Sequence, residues 1–277
     1  MKSIISAEEL KELICKEDLI LIDARPGLKS YHKQHLKGAF HLDLNTELSD
    51  IKPDFAEGGR HPLPSPAKFS ELLSSLGIKK DSYIIVYDQL NGSMTAARLW
   101  WMLKAAGLEK VQVLNGGLEA ALKERIETDR ELKEKNQNSG FSFNAWQLPL
   151  TNINEVEKAS KSGDKTIVDV RSPERYQGIT EPIDTIAGHI PNAINIPFLE
   201  NLNADGTFLS PEELKKKYET IFKNKSASDM IFHCGSGVTA CHSLLALDYA
   251  GLEIPNLYVG SWSEWSRNKK TIAKGKE

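Results

Sequence analysis

"LILIDARP" at residues 19–26 and "TIVDVRSP" at residues 166–173 are the same short phrase written twice. Each is a β-rich run that closes on Asp-x-Arg, so Asp23 and Arg25 face Asp169 and Arg171 at an offset of 146 residues. Outward from this pair the match continues in order. "HLKGAFHLDL" from His35 faces "HIPNAINIPF" from His189, and "SYIIVYD" faces "SDMIFHC", which sets Asp88 against Cys234. Thr95-Ala96-Ala97 faces Thr239-Ala240-Cys241, Gly107-Leu108-Glu109 faces Gly251-Leu252-Glu253, and "VLNGGLEAAL" resembles "YVGSWSEWS". One such match is within reach of chance, but an ordered series with small insertions reads as a duplicated domain.

Length agrees, since 277 residues exceed the usual size of a single domain. The spacing predicts a first domain over residues 1–125 and a second over 151–277. Residues 126–150, "IETDRELKEKNQNSGFSFNAWQLPL", are rich in charge and amides and read as a linker, with Trp146 as its anchor. Each half alternates strand and helix signals. "LILIDA" and "YIIVYD" are strand-like, whereas "PAKFSELLSSLG" and "SMTAARLWWMLKAAG" carry helical periodicity, the latter stopping at Gly107. That alternation predicts an α/β fold with parallel sheets covered by helices on both faces. Ligands in such folds sit where strands end and helices begin.

Composition narrows the function. A net charge of −3 offers no field for nucleic acid or anionic membranes, and the lysines at 269, 270, 274 and 276 read as a solvated tail. No apolar run is long enough to span a bilayer, and the opening residues read as a helix leading into a strand rather than as a signal peptide. Three cysteines without a CxxC pair argue against a disulfide framework or a zinc site and for a reducing, cytoplasmic setting.

"HCGSGVTAC", His233–Cys241, carries the chemistry. It reads as strand, loop and helix, with Cys234 at the strand's end. Gly235 and Gly237 allow the loop to turn backbone N–H groups inward, and the next helix adds the positive end of its dipole. A thiolate there is stabilised and becomes a nucleophile that tolerates an anionic adduct. The loop Gly235, Ser236, Gly237, Val238 and Thr239 is the predicted cradle. Cys241 reads as helix core, Cys15 as a helix-face residue, and His233 as structural. A cysteine phosphatase needs an arginine six residues after its cysteine; Ala240 stands there, so a phosphate dianion lacks its counter-charge.

Taken together, "IDARP", "VDVRSPERY", "HLKGAF", "GHIPNAINIPF", "CGSGVTAC" and "GSWSEW" make the chain resemble the tandem-domain sulfurtransferases of the rhodanese and 3-mercaptopyruvate sulfurtransferase family over nearly its whole length. The resemblance implies two domains, each with a mostly parallel five-stranded sheet between helices, the first inactive with Asp88 at the cysteine position and the second catalytic. It implies transfer of a sulfane sulfur from 3-mercaptopyruvate or thiosulfate to cyanide or a thiol through a Cys234 persulfide, without metal or organic cofactor. A thioredoxin-like reductant is an implied partner. The alternative is a persulfide carrier that delivers sulfur to a partner protein. Gly235-Ser236 favours mercaptopyruvate, because thiosulfate-preferring relatives carry two basic residues there. Mercaptopyruvate enzymes pair two arginines with the donor carboxylate; one matches Arg175, while the other falls at Asp184, an acid. Arg171 is divided between a substrate role and an ion pair with Asp169. His61 matches a histidine that the family places beside the loop serine; the acid that partners it falls at Asn45, with Asp43 close by. His35, His189 and the tryptophans at 100, 101, 262 and 265 read as structural.

Overall fold

A computed structural model describes residues 1–15, 19–93, 95–223 and 225–275. Lys276 of the basic tail lies outside the described residues. The chain forms two compact units. One comprises Met1–Asp50, Pro64–Gln147 and Leu202–Phe208; the other comprises Ile51–Leu63, Leu148–Asn201 and Leu209–Glu277.

The first unit holds a five-stranded sheet in the order Ile4–Ile5, Val111–Leu114, Tyr83–Tyr87, Leu19–Asp23, Phe40–His41, with every neighbouring pair parallel. The second unit repeats it, read from the equivalent edge, as Leu150–Thr151, Asn256–Tyr258, Met230–His233, Thr166–Asp169, Ala193–Asn195, again all parallel. Chain order and spatial order match between the two, as the duplicated phrases predict. The main sheets are wholly parallel. Among the described residues the antiparallel pairings lie outside them, at His35–Leu36 against Thr128–Asp129 and at the isolated bridges His189–Ala273 and Leu202–Phe208.

The strands are apolar on both faces because helices cover both. Ile85 and Tyr87 pack with Leu10 and Leu118 in one core cluster, while their alternates Ile84 and Val86 are equally buried. Helix starts carry local signals. Ser6 with Glu9, Asn152 with Glu155, and Ser210 with Glu213 form capping boxes, and Pro66 and Pro211 open their helices. The helices after the central strands, Ala96–Ala105 and Thr239–Tyr249, are buried almost all round, as central layers require. Part of the predicted linker packs within the first unit. Gln137 N donates to the Ser75 carbonyl at 3.0 Å, and the Trp146 ring lies 5.5 Å from Phe69 and 6.1 Å from Trp101. No helix of the described residues is long and apolar enough to cross a membrane.

The two central pairings are in the same register. Asp23 sits opposite Tyr87 and Asp169 opposite His233, so Asp88 and Cys234 each leave the same end of the same strand.

Candidate active site

Cys234 is a free thiol, 1% exposed, at the carboxyl end of Met230–His233. The loop after it is held by the segment "GSWSEW". Cys234 N donates to Ser261 Oγ at 3.1 Å, and the carbonyls of Cys234 and Gly235 accept from the N–H groups of Trp262 and Ser263 at 3.0 and 2.9 Å. Gly237 has φ +73°, and a Cβ there would meet the Val259 carbonyl oxygen at 2.5 Å, so no other residue fits without moving the backbone. Cys241 lies in the helix, fully buried, its Sγ donating to the Gly237 carbonyl at 3.3 Å. Both the loop's turn and its exit are thus fixed.

The equivalent loop of the first unit displays what this backbone does with the side chain at its base. The Asp88 carboxylate accepts from four backbone N–H groups: Leu90 and Gly92 on Oδ1 at 3.3 and 2.9 Å, and Thr95 and Ala96 on Oδ2, both at 3.4 Å. The loop amides converge on the residue at the strand's end. Asp88 fills its own anion cradle.

Arg171 is occupied on every nitrogen. Its Nε and Nη2 donate to Asp169, Nη2 also to the Gly188 carbonyl at 2.7 Å, and Nη1 to Glu181 at 3.2 Å. Burial alone would raise the Asp169 carboxyl, but the adjacent Arg171 and His233 outweigh it and hold the group below its usual range. His233 is itself fully buried, and burial pushes its imidazole below the ordinary value despite Asp169 at 3.8 Å. It is neutral at physiological pH, with Nδ1 on the Cys234 carbonyl at 3.2 Å. His61 Nδ1 lies 2.8 Å from Ser236 Oγ, so the histidine and the loop serine do meet. Asp43, in the first unit, spends Oδ1 on its own turn, accepting from the N–H groups of Asn45 and Thr46.

Arg175 donates through Nε and Nη2 to Glu181 at 3.2 and 2.7 Å. Asp184, the acid standing where a second arginine was expected, has a fully buried carboxylate surrounded by guanidiniums. Arg60 Nη1 pairs with its Oδ2, Arg267 Nη1 with Oδ1 at 2.7 Å, and Arg175 Nη2 lies 3.7 Å away. Sequence reasoning missed Arg60, Arg267, Glu181 and Ser261. The one available signal was the basic residue directly ahead of His61 in "GGRHPLP".

The arrangement places a thiol at the base of a loop whose twin turns its amides onto the equivalent side chain, with the guanidiniums of Arg60 and Arg175 close to Gly235. It suits a nucleophile that accepts and releases an anionic group. The rhodanese-like domain family matches the chain twice, over residues 6–124 and 152–268. The 3-mercaptopyruvate sulfurtransferase of Escherichia coli K12 is 35% identical, with 94% of each chain covered. The thiosulfate sulfurtransferase of Cricetulus griseus is 36% identical over 87% of this chain and 80% of its own. Among solved structures, 3-mercaptopyruvate sulfurtransferase from Leishmania major superposes with a TM-score of 0.82 at 30% identity, over 96% of this chain and 74% of that one. The chain belongs to the rhodanese-like domain family, with two copies of the domain. Within it, this is an enzyme of the sulfurtransferase class.

Proposed function

We propose that this protein moves a sulfane sulfur from 3-mercaptopyruvate or thiosulfate to a thiophilic acceptor, cyanide or a thiol, by way of a persulfide on Cys234. The Cys234 thiolate attacks the donor sulfur. With 3-mercaptopyruvate the S–S bond forms as the C–S bond breaks, and the departing pyruvate enolate takes up the thiol proton. With thiosulfate the leaving group is sulfite. The acceptor then attacks the outer sulfur, leaving as thiocyanate or a new persulfide and returning the Cys234 thiolate. The loop from Gly235 to Thr239 carries the negative outer sulfur on its amides.

The observation that carries this reading is the paired register of Cys234 and Asp88. The twin loop turns four N–H groups onto an anionic side chain at the same position. Arg175 is the donor-binding residue in this reading. Arg171 is a positioning group, since all its nitrogens are committed to the protein. His61 orients Ser236 at the cradle. The first domain, with Asp88 in place of the thiol, is non-catalytic.

The test is turnover with each donor plus cyanide, read as thiocyanate, with mass spectrometry of the peptide bearing Cys234 after donor alone. Cys234→Ser abolishes both turnover and the gain of one sulfur atom, whereas Cys241→Ser stays largely active. Loading without turnover would replace the enzyme by the carrier reading, and loading at another residue would overturn the site.

A further inference from the structure

Gly235 carries no positive φ, so its lack of a side chain needs another cause. A Cβ built there would meet Arg60 Nη2 at 3.2 Å and Arg175 Nη2 and Nη1 at 3.4 and 3.5 Å. Two guanidiniums from distant parts of the sequence therefore converge on the residue beside the thiol. Both are well buried yet reachable, their side chains 15% and 17% exposed.

Their geometry is fixed from behind. Asp184 takes Nη1 of Arg60, and Glu181 takes Nε and Nη2 of Arg175. Arg60 is fixed at the backbone as well. Its N–H donates to Ser263 Oγ at 3.0 Å, and the N–H of the same serine donates to the Gly235 carbonyl at 2.9 Å. One residue thus sets both the guanidinium's root and the loop. Arg267 differs, because its Nη1 is spent on Asp184 and the Ser263 carbonyl and its guanidinium lies 5.5 Å from the Phe55 ring centroid. Arg171 shares Glu181 with Arg175, so in the connected network four guanidiniums (Arg60, Arg171, Arg175, Arg267) stand against three carboxylates (Asp169, Glu181, Asp184). The rim holds one positive charge in excess.

We infer that Arg60 and Arg175 jointly grip the carboxylate of a small α-keto acid donor, with Arg60 supplying the guanidinium absent at position 184 and Asp184 serving to aim it. This rests on the sulfurtransferase reading and deepens it, selecting a carboxylate-bearing thiol as the preferred donor. A planar fork beside each donor oxygen is worth more than a point charge, so lysine at 60 is a partial substitute.

The test separates the clamp from the chemistry. Cys234 is alkylated with iodoacetate and with iodoacetamide, which differ in having a carboxylate or a neutral amide, and modification of the 234 peptide is followed by mass. Arg60→Ala lowers the iodoacetate rate about tenfold relative to iodoacetamide, and Arg60→Lys, which keeps a cation against Asp184, lowers it less. In turnover, Arg60→Ala raises KM for 3-mercaptopyruvate by about tenfold to a hundredfold with a smaller change in kcat. An alkylation ratio unchanged in both variants overturns the inference. Should Arg60→Ala fail to fold, the Arg60→Lys ratio decides alone. If the unaltered protein turns over no donor while the ratio still falls, the proposed function fails and the anion clamp stands.

Discussion

At the end of a central strand in each unit, an aspartate two residues ahead of an arginine closes the same fork, with Nη2 to Oδ2 at 2.6 Å in both, although only one unit carries a cysteine at its loop. Arg25 also donates Nη2 to a backbone carbonyl, that of Gln34, as Arg171 does to Gly188. The histidines repeat too: His35 stacks on Tyr31 at 3.6 Å and His189 on Tyr176 at 3.8 Å, each with Nδ1 at 2.8 Å from that tyrosine's carbonyl. The same contacts occur in the unit that has Asp88 at the loop position and in the unit that has Cys234, which supports reading the Asp-x-Arg phrase as scaffold. His233 has no such twin, because Tyr87 stands opposite. Its burial favours the neutral ring, so in acid the unfolded chain binds a proton that the folded chain resists. Stability contributed by this group is present above the ordinary value of 6.5 and is lost as pH falls below it towards the depressed folded value. The thermal midpoint, scanned from pH 8 to pH 5, is expected to drop with acidity, and His233→Gln to flatten that slope. A slope identical in the variant would remove His233 as its source.

At the scale of the loop, the two copies answer one backbone problem differently. Four convergent amides cannot be left dry and unpaired, so the first copy keeps an anion on its own side chain. Replacing Asp88 by Ala strands them, and the expected loss is about 2–4 kcal/mol, with Asp88→Asn costing less because one oxygen remains. Chemical denaturation reads the difference; a neutral Asp88→Ala would mean that the amides find water instead. The loop itself was legible in the sequence because its signals are local: two glycines, a thiol and a helix start within a few residues. The rim was not. Arg60 is held by Asp184 and Ser263, which lie more than a hundred residues away and carry no spacing that points back to it. Asp184 read as a defect for the same reason, since a charge-reversed position gains meaning only when its partners are known.

For the whole molecule, compactness does not follow the order of the halves. Repeat offsets made the central strands Leu19–Asp23, Tyr83–Tyr87, Thr166–Asp169 and Met230–His233 readable in advance, whereas the two-residue edge strands Ile4–Ile5 and Leu150–Thr151 carry too short a pattern to be read. The traded segments, Ile51–Leu63 and Leu202–Phe208, are irregular stretches without a repeat, and nothing in their composition says which unit they join. The consequence for folding is direct. A fragment of residues 148–277 lacks Ile51–Leu63, and with it the bonds from Gly58 N to Glu264 at 3.1 Å, from Arg60 N to Ser263 at 3.0 Å, and from Asn268 to the Ala56 carbonyl at 2.9 Å. It also removes the Arg60 guanidinium from Asp184, which keeps Arg267 at 2.7 Å and Arg175 at 3.7 Å. Expressed alone, the fragment is expected to melt well below the full chain in calorimetry and to lose selective alkylation by iodoacetate; a fragment as stable as the whole would refute this.

Asp88 gives the duplication an asymmetry that salt cannot undo. Its carboxylate is tethered a few bonds from the amides it occupies, so pairing with them costs no association from solution. Anions in the medium meet a first loop whose amides are already taken by the chain's own carboxylate, which acts there as a brace.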